Sequence, residues 1–516
     1  MIRASLSARR RSRELAELAS GERVDLLVVG GGVTGTGIAL DAASRGLSVA
    51  LVEARDLAFG TSRFSSKLVH GGLRYLAHGD LAIARESAVE RGILMTRTAP
   101  HLTRALGQLF PLFDGTPRAE RLLTTAGLHA GDALRRSART PSSLLPRPRS
   151  VPAAEALALA PGLRPTGLRG GLLSFDGALT DDARLVVALA RTAASFGARV
   201  LTRLRVSELT ADRVRARDEL TGEHVDLHAR QVVNATGVWA GSLVPSVHLS
   251  PSRGSHVVLD ADRTGLGETS VLAPVPGSHS RFVFLLPQPG GRAYLGLTDE
   301  PVPGEPPEVA EAPQSDVDFL LKAASAVLAR ELTHDDVLGT FAGLRPLLAA
   351  DGSTSDLSRR HAVLTDPASG VLTVVGGKLT TYRKMAEDAV TGAVRASGLD
   401  AGPVRTRDLP LLGAADRRAL STVDAPPELV AKYGTEAPRV AALADMDDDL
   451  GRPLFPGCGI TGAEVVWAVR HEGALDADDV LHRRTRLGLV ATEADAARER
   501  VADLVARTLH GLAETA

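Results

Sequence analysis

Between Val24 and Glu53 the chain reads VDLLVVGGGVTGTGIALDAASRGLSVALVE: an unbroken apolar run, a glycine-rich turn, a run of small residues, and a second apolar run that ends on an acid. Few folds accept that order. A strand without polar alternation belongs to a parallel sheet covered on both faces, and the spacing Gly30-x-Gly32-x-x-Gly35 then predicts the turn of a dinucleotide-binding βαβ unit. Gly30 permits the tight turn, Gly32 lets a pyrophosphate approach the backbone, and Gly35 lets the helix lie close to the strand. Val33 and Thr34 open the helix, whose free N–H groups and dipole favour the phosphate charge. Glu53, about twenty residues beyond the glycines, is placed to accept hydrogen bonds from a ribose diol. A dinucleotide is therefore expected, with FAD and NAD both open.

The next stretch decides between them. An NAD domain would proceed to another strand and helix, whereas ARDLAFGTSRFSSKLVHGGLRYL is rich in hydroxyls and glycines and carries Lys67, His70, Arg74 and Tyr75. From Gly60 to Leu76 it resembles the FAD-dependent glycerol-3-phosphate dehydrogenases, whose members show GTSxxSSKLxHGGLRYL here. The resemblance implies FAD as the cofactor, held by Gly30, Gly32, Val33, Thr34, Gly35, Glu53, Ala54, Thr61, Ser62, Ser66 and Lys67.

Further blocks extend the match. QVVNATGVWAG resembles the family's VNATGPW, which implies that Ala235, Thr236 and Gly237 pass close to FAD; Val238 stands where the family has proline. Val206 lies where related flavoproteins lend backbone to the adenine. Arg253-Gly254-Ser255-His256 stands for the family's KGSH, which implies a substrate contact for Arg253, although a planar guanidinium replaces a compact ammonium. TFAGLRPLL and VVGGKLTTYRKMAEDAV resemble SGVRPL and FGGKLTTYRKLAE. They imply that Arg345 and Lys378 face the substrate and that Gly376, Gly377, Leu379 and Thr380 contact FAD.

The implied reaction is oxidation of sn-glycerol 3-phosphate to dihydroxyacetone phosphate, with hydride passing from C2 to FAD. A dianionic phosphate needs several donors, and Arg74, Arg345 and Lys378 supply cations from three distant segments. Arg74 and Tyr75 would hold the phosphate, while Arg345 and Lys378 would polarise the hydroxyl and stabilise the developing alkoxide. His256 and His70 are both candidate bases, because imidazole titrates near working pH. The resemblance implies a membrane quinone as electron acceptor, with oxygen the alternative. A flavin oxidase acting on amino acids would share the fold, yet would not predict the SSKLVHGGLRY and GGKLTTYRK blocks together.

At 516 residues the chain exceeds one simple core. The expected fold is α/β: a Rossmann-like FAD-binding nucleotide domain of the glutathione-reductase/D-amino-acid-oxidase type, an inserted antiparallel-sheet substrate domain and a C-terminal all-helical cap domain. Nucleotide segments are expected at about 23–108, 165–245 and 340–397, the substrate sheet at about 246–339, and the cap at 398–516. SHVVLDAD, SRFVFLLPQP and RAYLGLTDE alternate as strands, with a turn at Pro289-Gly290-Gly291. From Gly170 a loop is expected to lead to Asp181 and Asp182, which read as helix caps rather than a catalytic acid pair. Trp467 and the leucines at helical spacing around it read as core. DVLHRRTRL resembles the family's C-terminal cap, and Arg470-His471-Glu472 is assigned no chemistry.

Charge narrows the partners. Sixty basic residues against 61 acidic ones give no reason to expect nucleic acid. The single Cys458 excludes an internal disulfide and a cysteine metal cluster, and His471 and His482 lack ligand spacing, so no metal is expected. No apolar run reaches the roughly 20 residues of a membrane span. Two stretches are locally basic. Residues 1–22, with Arg9, Arg10, Arg11 and Arg13, read as a solvated helix or a surface-binding element. Leu109 to Ser150 carries seven arginines interleaved with Leu122, Leu123, Leu128 and Leu134. It suits a basic amphipathic hairpin on anionic lipid, or a solvated excursion. With a quinone acceptor, the expected location is cytoplasmic, peripheral to the inner face of the cell membrane; homodimer formation is left open.

Overall fold

The unbroken apolar run becomes the strand Arg23–Val29, flanked in parallel by Val49–Val52 and His224–Asn234. In the computed structural model, which describes residues 3–72, 80–275, 282–349 and 360–514, these strands sit inside a larger sheet. Its order is Ala362–Thr365, Leu372–Val375, His224–Asn234, Arg23–Val29, Val49–Val52, Arg199–Leu201. The edge strand Ala362–Thr365 runs antiparallel, and the meander Leu204–Leu209, Arg213–Asp218 joins through His224–Asn234. Both faces are covered, which explains the absence of polar alternation. Leu26 and Val28 pack with Ile38, Leu185, Leu189, Met385 and Val390 from the helices Val33–Ser44, Asp182–Ser195 and Tyr382–Ser397. Leu27 and Val29 pack on the other face, against Leu15 and Leu18 of the helix Ala8–Ala19.

That helix corrects the expectation for residues 1–22. It is neither a solvated tail nor a surface-binding element but one layer of the nucleotide domain. Arg11 is buried, with Nη2 2.7 Å from an Asp218 carboxylate oxygen and Nε donating to the Thr202 carbonyl at 2.7 Å. Arg10 pairs with Glu14 at 2.6 Å. Burying a leucine contributes about 1.5–3 kcal/mol, so Leu15 and Leu18 anchor this basic segment to the sheet.

Among the described residues the second sheet has ten strands. Its path runs Glu300–Pro301, Ser252–Asp260, Arg292–Gly296, Phe282–Gln288, Ser270–Pro274, Thr103–Phe113, Leu168–Leu179, Leu68–Val69. Val337–Arg345 pairs with Ser252–Asp260, and Arg149–Pro152 with Leu168–Leu179. The alternating strands and the Pro289–Gly291 turn are present as the pattern predicts. More chain enters this sheet than residues 246–339, however. Thr103–Phe113 and Leu168–Leu179 pair along their length, so the nucleotide boundaries at 108, 165 and 340 shift, and the loop expected from Gly170 is a strand. The reason is coverage on both faces: Leu109 and Leu173 enter one core, Phe110 and Leu172 another, and no alternation survives to announce a strand.

The basic stretch within 109–150 forms one helix, Arg118–Ser137, rather than a hairpin. Leu128 and Leu134 turn inward, whereas Leu122 and Leu123 are 70% and 66% exposed beside the exposed Arg118 and Arg121. Arg135 is buried, pairs with Asp132 at 2.8 Å and donates to the Thr140 carbonyl.

The C-terminal region is helical, with Gly462–His471 against Ala491–Glu514 around Val465, Val469, Val501 and Leu504. Trp467 is core, edge-on to Tyr433 at 6.2 Å. Buried ion pairs dock this domain on the first: Glu472 with Arg184, Glu436 with Arg191 at 2.6 Å, and Asp56 with Arg483 and Arg484 at 2.6 and 2.9 Å. Glu472 and His471, which hydrogen-bonds Ser5 at 2.7 Å, are thus structural. Among the described residues no helix is long and apolar enough to cross a membrane, and no group of three His, Cys, Asp or Glu side chains could hold a metal.

Candidate functional site

The first turn is built for close approach. Gly30 has φ +114°, and a Cβ on Gly35 would lie 1.9 Å from the Gly30 carbonyl oxygen, inside any contact distance. The helix Val33–Ser44 starts at Gly32 without a side-chain cap, which leaves first-turn N–H groups for an anion. Ser62 Oγ accepts from the Val33 N–H at 2.9 Å and ties the Gly60–Lys67 loop to this turn. Glu53 accepts from the N–H groups of Gly31 and Arg55 at 2.6 and 2.8 Å; burial raises its pKa and these donors counter the rise. The Leu204 N–H donates to the Glu53 carbonyl, so the strand carrying Val206 starts beside the acid. On the other side, Ala235 N–H donates to Val29, and the Asn234 side chain accepts from the backbone and hydroxyl of Thr236, which shapes the turn into Gly237. These residues fit a dinucleotide.

The second sheet brings two predicted groups together. Ser252 pairs with Arg345 and His256 with Phe341 on neighbouring strands. The Arg345 guanidinium lies across Gly254, where a Cβ would come within 2.5 Å of Nη2 and displace it. Nη1 donates to Ser252 Oγ and Asp299 Oδ1, and Nη2 to the Thr298 carbonyl, all at 3.1 Å. The His256 ring stacks on Phe341 with centroids 4.6 Å apart and planes 7° off parallel, and its Nε2 lies 2.8 Å from Ser66 Oγ. Burial, then the cations Lys67 and Arg345, push His256 down to about 3, so it is a neutral imidazole at ordinary pH.

Opposite the Gly376–Gly377 turn the order is similar. Lys378 precedes the short turn Leu379–Thr381, and its ammonium donates to Ser87 of the helix Leu81–Ile93. Thr380 Oγ1 accepts from the His70 N–H at 3.2 Å. This bond joins the lysine turn to His70, the residue after the strand Leu68–Val69 and four beyond Ser66. Thr61 Oγ1 donates to the Leu344 carbonyl at 2.6 Å, which sets the same loop against the Arg345 strand.

Two expectations change. Arg253 is committed to Asp316, at 3.0 Å and 3.2 Å through Nε and Nη2, an acid that also accepts from Ser255 and Thr298. The planar fork suits a carboxylate and binds one within the sheet, as Arg345 binds Asp299. Lys67, expected on the cofactor, points its ammonium at Asp182, at 2.8 Å, and at the carbonyls of Arg63 and Ser65. Arg74 and Tyr75 lie outside the described residues.

Several members of the site went unread in the sequence. Asp299, Ser252 and Thr298 orient Arg345, Ser87 receives Lys378, and Asp182 supports Lys67 as well as starting its helix. Asp181 does cap that helix, through the Arg184 N–H at 2.8 Å. The only signal was the acid in LTDE, directly after a strand.

Comparison with known proteins follows the same lines. A family described as FAD dependent oxidoreductase matches residues 25–383, and one described as the C-terminal domain of alpha-glycerophosphate oxidase matches residues 404–515. Glycerol-3-phosphate dehydrogenase 1 of Mycobacterium tuberculosis is 52% identical over 506 residues, covering 96% of this chain and 97% of the relative. The X-ray structure of the glycerol-3-phosphate dehydrogenase from Bacillus halodurans, complexed with FAD, superposes with a TM-score of 0.75 at 26% identity, over 99% of this chain and 97% of that one. L-alpha-Glycerophosphate Oxidase from Mycoplasma pneumoniae shares the fold at 20% identity and a TM-score of 0.57, over 76% of this chain and 99% of its own.

Proposed function

Since the chain belongs to the FAD-dependent glycerol-3-phosphate dehydrogenases, we propose that it oxidises sn-glycerol 3-phosphate at C2 to dihydroxyacetone phosphate. The observation that carries this reading is the pairing of a fixed guanidinium, Arg345, with a neutral imidazole, His256, on adjacent strands beside the Gly60–Lys67 loop.

FAD, held by the Gly30–Gly35 turn, Glu53, the Ala235–Gly237 turn and the Gly376–Thr380 turn, supplies the two-electron acceptor for the C2 hydrogen when bound. Arg345 and Lys378 bind the anionic substrate and polarise the C2 hydroxyl; Arg74 and Tyr75 take the phosphate. His256 receives the hydroxyl proton at Nε2, the atom Ser66 orients. Burial first, and the cations Lys67 and Arg345 after it, hold this base near 3; a dianionic substrate beside it offsets the share of the cations and raises its proton affinity. Arg345 then faces the developing alkoxide with its geometry already set by Ser252, Asp299 and Thr298. We assign the base to His256 over His70 because stacking and Ser66 fix its ring. Product analysis with a soluble dye as acceptor tests the assignment: dihydroxyacetone phosphate is expected, and glyceraldehyde 3-phosphate, oxidised at C1, would overturn it.

For the acceptor we favour a quinone reached at the inner face of the cell membrane. Leu122 and Leu123 project from a helix flanked by exposed arginines, the composition that lies on anionic lipid. The double variant Leu122→Ser, Leu123→Ser is expected to lose most co-sedimentation with vesicles containing phosphatidylglycerol and to reduce a lipid-borne quinone at least about tenfold more slowly, since inserting two exposed leucines into lipid contributes several kcal/mol. Dye reduction should not change. Oxygen uptake that matches the quinone rate in the unmodified protein would identify an oxidase instead.

A further inference from the structure

One segment of the C-terminal domain reaches behind the candidate site. Arg486 adopts φ +66°, a left-handed conformation that non-glycine residues seldom take. Its Nη2 donates to the Arg63 carbonyl at 2.5 Å, and its Nε lies 3.0 Å from an Asp181 carboxylate oxygen. At 4.0 Å from the same guanidinium stands Asp182 Oδ1. The other oxygen of Asp182 accepts three bonds from the Gly60–Lys67 loop: the Ser65 N–H at 2.9 Å, the Ser65 hydroxyl at 2.7 Å and the Lys67 ammonium at 2.8 Å. Lys67 is itself left-handed, at φ +57°, and wholly enclosed. Between Ser65 and Lys67 sits Ser66, whose hydroxyl holds His256. Two non-glycine residues in a sparsely populated conformation thus meet across one buried carboxylate, one residue away from the imidazole. Strain of that kind persists only where the surroundings over-determine it.

We propose that Arg486 is a positioning residue for the reaction: by fixing Asp181, Asp182 and the Arg63 carbonyl, it sets the Ser65–Lys67 turn and, through Ser66, the imidazole of His256. The C-terminal domain thereby completes the site from behind. This rests on the reading of His256 given above. A second contact of the domain lies apart from the loop. Glu436 with Arg191 joins helices far along the chain from the loop and touches none of its residues.

The arrangement has a titration signature. Facing the Lys67 ammonium are Asp181 and Asp182 from the helix start, Arg486 from the C-terminal domain, Arg63 on its own loop, and Tyr294 and His256 from the substrate sheet. Burial, and then the like charge of Arg486, hold Lys67 down to about 8 against the pull of the two aspartates. Removing the Arg486 charge therefore raises the Lys67 pKa, and any basic limb set by Lys67 moves to higher pH.

Anaerobic reduction of FAD-loaded full-length protein by glycerol 3-phosphate, followed from pH 6 to 10, tests the proposal with Arg486→Gln, Arg486→Lys and Glu436→Gln. Arg486→Gln is expected to retain FAD, to lose at least tenfold in the reduction rate at saturating substrate, to change its half-saturation concentration less than threefold, and to shift the basic limb upward. Arg486→Lys should recover part of the rate. Glu436→Gln, which weakens the same domain contact elsewhere, should lower Tm and leave the pH profile in place. An Arg486→Gln protein with the unmodified rate and profile overturns the proposal, as does a Glu436→Gln protein that reproduces its rate loss. Should Arg486→Gln fail to fold, Arg486→Lys decides: an unmodified rate overturns the proposal, and a reduced rate with the basic limb in place, since the charge is kept, supports it. If the unmodified protein is not reduced at all, the failure belongs to the assigned reaction instead.

Discussion

Replacing Arg345 by alanine is expected to slow flavin reduction by glycerol 3-phosphate about a thousandfold, roughly 4 kcal/mol of transition-state stabilisation, while FAD stays bound. The size follows from how the guanidinium is held. Three acceptors, Ser252, Asp299 and Thr298, fix its plane over Gly254, so no reorganisation is needed when charge develops on the substrate oxygen. Alanine also strips Asp299 of its guanidinium partner and leaves a carboxylate near a dianionic substrate. Loss of that charged hydrogen bond should cost about 2 kcal/mol of stability. Adding Asp299→Asn to Arg345→Ala should recover stability without recovering rate, which separates the two effects. Arg345→Lys keeps the charge but loses the fork, and an intermediate rate is expected. Stopped-flow absorbance of the flavin checks all three; an unaltered rate in Arg345→Ala would remove the residue from the site.

Gly35→Ala should abolish FAD binding outright. The added Cβ would sit 1.9 Å from the Gly30 carbonyl oxygen and 3.0 Å from its carbon, both backbone atoms of the turn that carries the pyrophosphate. No side-chain rotation relieves that clash. The helix must move away from the strand, and the N–H groups at its start move with it. We expect a purified protein with less than about a tenth of the normal flavin absorbance, because displacing the phosphate donors forfeits several charge-assisted bonds. Gly127→Ala is the matched control: nothing lies within 4 Å of its Cβ position, and it should load FAD normally. Flavin content per chain, with circular dichroism to confirm the fold, settles the comparison.

What could be read in the chain was local or was carried by the resemblance. Gly30 to Glu53 is one contiguous unit whose glycines have steric reasons, and the strand alternation around Pro289–Gly291 reports one wetter face. Burial on two sides hid the strands Thr103–Phe113 and Leu168–Leu179, since their apolar runs match those of other buried segments. Arg253 was expected at the substrate because a cation occupies the motif position, yet a fork-shaped cation finds Asp316, 63 residues away, a partner no spacing rule supplies. The Lys67 ammonium likewise finds Asp182, 115 residues away. The N-terminal arginines looked solvated because leucine spacing in a short segment says nothing about which sheet it will cover. Long-range ion pairs across the C-terminal domain, such as Arg486 with Asp181, are decided by the assembled fold.

Anaerobic mixing of FAD-loaded protein with glycerol 3-phosphate shows whether that substrate reduces the flavin. Full bleaching of the oxidised flavin bands is expected, with no bleaching by glycerol or by an amino acid at the same concentration. Flavin that stays oxidised in the presence of glycerol 3-phosphate would contradict the assigned reaction.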